Sequence, residues 1–173
     1  MNPDDVIATT RRAWLAMNAA EYEVFLNELL AAERAGVKLL SAYLDELPLD
    51  SFQWRTIRAV RHDEARNCAV LIHLLLEAEA TPTQAVGPFY DKGLTIRGWR
   101  ERLAFLNRGQ AWVARRLTDA IARVPERARS ALREMRDSHV WNVGICEELL
   151  DRNAASGAAA KLASSNAAQT TLS

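Results

Sequence analysis

Four long stretches of this chain place core-type residues at alternating steps of three and four, the spacing that keeps one face of a helix turned toward a core. The first stripe reads Tyr22, Leu26, Leu29, Glu33, Gly36, Leu40, Tyr43. The second reads Trp54, Ile57, Arg61, Glu64, Cys68, Leu71, Leu75. The third reads Trp99, Leu103, Leu106, Gln110, Val113, Leu117, Ala120, and the fourth Leu132, Met135, His139, Asn142, Cys146, Leu149. A strand would alternate in steps of two. Almost nothing in the chain does, so the pattern predicts an all-α protein.

Punctuation between the stripes sets their connections. The spacing predicts a short helix over 4–17 and long helices over 20–46, 51–79, 96–123 and 126–152. "LPLDS" ends the first long helix, and Asp50 or Ser51 is placed to cap the second. "VP" separates the last two, whereas the middle link, "ATPTQAVGPFYDKGLT", is long and holds two prolines and two glycines. Short links force neighbouring helices to run antiparallel, and a long one permits a crossing along their length. The expectation is therefore an antiparallel four-helix bundle over 20–152 with one long crossover. Residues 1–19 would pack on it as an N-terminal helix. Residues 153–173, "NAASGAAAKLASSNAAQTTLS", are low in complexity, cannot support a core, and are expected to be disordered.

Charge and targeting signals narrow the partners. Twenty-two basic residues balance 22 acidic ones, so no global field favours nucleic acid or an anionic membrane. No apolar run reaches the roughly 18 residues of a membrane span, and "MNPDDVIATTRR" lacks the apolar core of a secretory signal. A cytoplasmic protein is expected. Cys68 and Cys146 stand in no motif and are expected to be free thiols.

Each stripe is largely apolar at its ends and polar near its middle. If the four middles meet at one level, Glu33, Glu64, Gln110 and His139 form a buried polar layer. Burying an unpaired carboxylate costs several kcal/mol, and whole domains are stable by only about 5–15 kcal/mol. The two acids therefore need a cation, a basic partner or a proton.

With "LNELLAAERAGVKLL", "RHDEARN" and "AFLNRGQAWVARRL" in this layout, residues 20–152 resemble the ferritin-like superfamily, in particular a bacterial branch of ferritin-like domains. The resemblance implies two helix hairpins joined by one long crossover. It also implies a di-iron or di-manganese site built from a Glu on each of two helices and a Glu-x-x-His on each of the others. Glu33 and Glu64 match two of the acids and His139 one imidazole. Asn67 stands where the second helix would carry His, Gln110 (or Asn107, one turn away) where the third would carry Glu, and Arg136 where the fourth would carry Glu. With two carboxylates instead of four, the expected metal set shrinks to Glu33, Glu64 and His139. These would hold one iron or manganese for redox chemistry with dioxygen or a peroxide. Asn67, Gln110, Arg136 and Asn142 would surround them. The alternative is that Arg136 replaces the metal, forking onto the carboxylates. The old site would then be a hydrogen-bonded network in a non-catalytic scaffold or interaction protein.

Other polar residues read more plainly. Adjacent residues on a helix diverge by about 100°, so His62, Asp63 and Glu64 cannot chelate one ion, and His62 and His73 read as surface or interface positions. Glu134 or Asp137 could supply a missing carboxylate only if the helix phase shifts. Arg97, Arg100, Arg102, Arg108, Arg115 and Arg116 spread around their helix as a solvated face. Phe89 and Tyr90 are expected to pin the crossover to the bundle. A homodimer through helix faces fits the pattern. The pattern names no small-molecule substrate.

Overall fold

In a computed structural model, the backbone of residues 16–170 and the side chains of residues 16–152 are described. The expected helix over 4–17 thus lies almost wholly outside the described residues. Within them the chain is all-helical, with no strand. Helix α1 spans Ala19–Asp45, α2 Phe52–Glu77, α3 Phe89–Leu94, α4 Trp99–Ala120 and α5 Arg129–Thr170, with one turn of 3-10 helix, Glu126–Ala128, before α5. The long helices lie where the stripes place them. Two features depart from expectation. The crossover contains the short helix α3, and α5 continues through Thr170 into the alanine-rich stretch whose composition favours helix.

Helix starts follow local chemistry. Asn18 closes a capping box on α1: its Oδ1 accepts from the Glu21 backbone N–H and the Glu21 carboxylate accepts from the Asn18 N–H, both at 2.9 Å. Ser51, of the two candidate caps, caps α2 by accepting from the Trp54 N–H at 3.1 Å. Helix α2 stops where Glu79 turns to φ 57°, so that the Ala80 N–H reaches the Leu75 carbonyl at 2.9 Å.

The apolar core is two clusters with a polar layer between them. One gathers Leu26, Leu29, Leu71, Leu75, Leu117 and Leu132 among others. The second gathers Leu40, Tyr43, Ile57, Leu103, Leu106 and Leu149 among others. Helices α1 and α5 pass from the first cluster to the second, while α2 and α4 pass the opposite way. The order of clusters along each helix therefore makes α1 antiparallel to α2 and α4 antiparallel to α5. It also requires the connection between α2 and α4 to travel the length of the molecule.

That connection is tied down along its path. Asn27 accepts from the Thr83 N–H at 2.7 Å and donates to the Thr81 carbonyl at 3.2 Å. The Gly87 N–H donates to the Ala31 carbonyl at 2.9 Å, and the Tyr43 hydroxyl donates to the Gly93 carbonyl at 3.1 Å. Phe89 stacks on Phe105, with centroids 4.3 Å apart and planes 11° apart. Gly109 permits this approach, because a Cβ there would stand 2.6 Å from the Phe89 ring.

Candidate functional site

Six polar side chains are buried at the level between the two clusters: Glu33, Glu64, Asn67, Gln110, His139 and Asn142. They come from all four long helices, because each stripe carries its polar member midway between its apolar ends. The expected layer therefore assembles. His139 Nδ1 lies 2.7 Å from Gln110 Oε1, and its Nε2 lies 2.9 Å from Glu33 Oε1. Asn67 Nδ2 donates to Glu33 Oε2 at 3.2 Å and lies 3.3 Å from His139 Nε2. Asn142 Nδ2 donates to Gln110 Oε1 at 3.4 Å. Gln110 Nε2 donates to Glu64 Oε1 in a short bond.

Gln110 is the link that assigns roles. Its carbonyl faces two donors, so its amide NH2 must be the end that meets Glu64. With Nδ1–H given to Gln110, His139 meets Glu33 through Nε2 at 2.9 Å. The basic partner of Glu33 is thus His139. Glu64 has none: one oxygen accepts from Gln110, and Oε2 is buried with no hydrogen-bond partner. Burial first, and then the charge of Glu33, push the Glu64 carboxyl well above the ordinary carboxylate range, and the Gln110 bond only partly opposes them. No basic side chain reaches Glu64 among the described residues, and the raised carboxyl favours its protonated form.

Arg136 does not enter the layer. Its side chain is 31% exposed, and its guanidinium pairs with Asp137 at 2.7 Å. The expected Arg–carboxylate fork onto Glu33 or Glu64 is thereby corrected: a long side chain at the edge of a stripe reaches water more cheaply than it reaches the core. Glu134, Asp137, His62 and His73 are exposed, and Asn107 stays outside the network. Cys68 and Cys146 are free thiols, and burial pushes both up to about 12.

The metal set anticipated at Glu33, Glu64 and His139 requires three donors to converge. Among the described residues no group of three His, Cys, Asp or Glu side chains is placed to hold an ion. Glu33 and His139 are bonded to each other, and Gln110 stands between that pair and Glu64. The donors as arranged do not fit a resident metal.

The layer is instead the floor of a cavity of about 560 Å³. Glu33, Glu64, Gln110 and His139 line its inner end, and Ala32, Phe89, Phe105 and Val113 line its walls. Trp112, 38% exposed, lies at the rim with Lys92 and Arg108. Gly36 opens space at the floor, since a Cβ there would overlap Glu64 Oε2 and stand 2.5 Å from the carboxyl carbon. Composition and periodicity did not single out this cavity. The available signal was a pair of glycines, Gly36 and Gly109, inside helices where each costs about 1 kcal/mol against alanine.

The model of one family, described as Domain of unknown function (DUF6306), matches residues 20–149. The chain belongs to this family. The matched span contains the whole polar layer and the crossover that roofs the cavity. No curated protein matches the chain, and no solved structure does. No helix among the described residues is long and apolar enough to cross a membrane.

Proposed function

We infer that this DUF6306 chain is a ferritin-like four-helix bundle that has exchanged its metal chemistry for a small-molecule site. One observation carries the reading. Glu64, 3% exposed, ends in a carboxyl oxygen with no partner, on the floor of a walled cavity. A buried polar group left unsatisfied costs about 1–3 kcal/mol, and a bound molecule that supplies the missing partner recovers it. The volume falls in the range of small-molecule pockets, and the pattern of apolar walls around a few convergent polar groups is that of such sites.

In this reading Glu64 gives a hydrogen bond to the ligand and is the general-acid candidate for any reaction there. Gln110 positions Glu64, and the His139–Glu33 pair in turn fixes which end of Gln110 faces it. The hairpin topology supports the ferritin-like assignment, because the order of apolar clusters along the helices is the one that fold requires. The homodimer reading has a candidate face on α5, where Val140 and Trp141 are exposed.

Titration with an aromatic anionic dye, 8-anilinonaphthalene-1-sulfonate, tests the site. Native protein should bind it at one saturable site, and Ala32→Phe, which fills the wall, should abolish binding while helix content by circular dichroism is unchanged. No binding to native protein, or equal binding to the filled variant, contradicts the reading.

A further inference from the structure

The cavity opens between α1 and α4, under the crossover. The opposite side of the bundle is the face shared by α2 and α5, which Asn67 and His139 join within the layer. The Arg152 guanidinium lies over the Phe52 ring at 4.7 Å, so these two residues mark the flank of each helix that borders this face. Steps of three and four from Phe52 along α2 bring Arg55, Ala59, Arg66, Val70 and His73 onto that flank. The same steps back from Arg152 along α5 bring Glu148, Ile145, Trp141, Asp137 and Glu134. Trp141 is 71% exposed and Phe52 43%. Ala59 is exposed, and Val70 and Ile145 are half-buried among the charges.

The contacts of Asn67 with His139 and of Phe52 with Arg152 also fix the levels of the two helices. Trp141 is level with Arg66, Glu148 with the stretch between Arg55 and Ala59, and Asp137 and Glu134 with Val70 and His73. Charge is divided between the helices. On α5, Arg152 holds Glu148 and Arg136 holds Asp137, and Glu134 has no ion pair among the described residues. On α2, Arg66 holds Asp63 at 3.5 Å and His73 holds Glu77 at 3.4 Å. Arg55 is left over there: it donates to the Asp50 carbonyl at 2.7 Å and makes no ion pair among the described residues. The charges left over are thus opposite, a cation on α2 and an acid on α5. A partner for the whole face must offer acids to α2, basic groups to α5 and a seat for Trp141. A second copy of this chain offers all three.

We propose that two copies of this chain associate through the α2/α5 face, related by a two-fold axis parallel to the helices. That axis lays α5 of each copy on α2 of the other at the same level. Trp141 then covers Val70 and the Arg66 guanidinium of the other copy, an apolar contact and a cation over a ring. Arg66 is free to turn there, being 59% exposed and only loosely held. Arg55 reaches Glu148 of the other copy, and Glu134 reaches its His73. Each contact forms twice, as an isologous interface requires. An axis across the helices would instead lay α5 on α5 and set acids against acids. The area suffices. The 26 residues of α2 rise about 39 Å, and two helices side by side are about 20 Å across. That is roughly the 800 Å² per partner of a stable interface. The dimer extends the homodimer reading of the Trp141 face and is independent of the cavity as a ligand site, whose mouth lies on the far side.

Sedimentation equilibrium of the full chain at micromolar concentrations tests the proposal. The native chain should be a dimer. Trp141→Ala should raise the dissociation constant about thirtyfold or more, the effect of losing an interface hot spot. The pair Arg55→Glu, Arg66→Glu sets acids on α2 against the acids of α5 and should dissociate the dimer. Adding Glu134→Arg and Glu148→Arg to that same chain reverses the other side and should restore association. None of these residues lines the cavity, so helix content by circular dichroism and anilinonaphthalene binding should be unchanged in every variant. A monomeric native chain, or a dimer that withstands Trp141→Ala, overturns the proposal. So does a dimer unmoved by the α2 pair, or one that the α5 pair fails to restore. A chain that dimerises in this way without binding the dye keeps the interface and loses only the ligand reading.

Discussion

Gly36→Ala and Gly144→Ala are the same substitution in the middle of two helices, and the structure sends them in opposite directions. Replacing an interior helical glycine with alanine is worth about 1 kcal/mol of stability from backbone propensity alone. At Gly144 a new Cβ meets nothing within 4 Å, so the full gain should appear. At Gly36 the new methyl overlaps Glu64 Oε2 and stands 2.5 Å from the carboxyl carbon. The Glu64 side chain cannot yield freely, because its other oxygen holds Gln110. Displacing it leaves buried polar groups unsatisfied at about 1–3 kcal/mol, and overpacking adds about 1–3 kcal/mol. After the propensity gain is subtracted, Gly36→Ala should lose at least ~1 kcal/mol. Urea denaturation followed by circular dichroism measures both variants at one pH. Gly36→Ala as stable as Gly144→Ala would show that Glu64 does not lie over Gly36.

Further expectations concern the layer itself. Because the Glu64 carboxyl is raised in the folded chain, the unfolded chain loses this proton first as pH rises through the ordinary glutamate range. The native state then binds more protons, so stability falls with rising pH until the folded-state value is passed, by up to about 1.4 kcal/mol per pH unit. Glu64→Gln should remove that slope; an unchanged slope in denaturation curves across pH would assign it elsewhere. His139→Ala strips Glu33 of its basic partner and should cost about 3–5 kcal/mol, read as a lowered unfolding midpoint; a loss under ~1 kcal/mol would mean that Glu33 finds water instead. Protein produced with iron and manganese supplied should carry less than one ion per chain, unmoved by Glu64→Ala. One ion per chain that disappears in that variant would restore the metal reading.

The sequence carried the helices and the layer because both rest on periodicity. Glu33, Gln110, His139 and Asn142 lie on their stripes, and all are buried where the stripes put them. What periodicity cannot carry is the direction of a long side chain. Arg136 lies three residues before His139, close enough in sequence to be drawn into the site, yet its guanidinium turns out to Asp137. The cavity was hidden for a related reason. It is bounded by Phe89 and Lys92, which reach it only because α3 folds back over α1 and α4, and sequence spacing holds no record of that path. Phe89 does pin the crossover, as its aromatic character suggested, and by doing so it also becomes a wall.

The protonation of Glu64 is the point on which the account turns. Carbon-detected NMR of the glutamate side-chain carboxyls, followed through a pH titration of the native chain, reads it directly. Glu64, assigned through Glu64→Gln, should keep the chemical shift of a neutral carboxyl after the exposed glutamates have ionised, and should titrate well above them. A Glu64 resonance that moves with the exposed glutamates, or before them, would mean that a cation faces this acid after all.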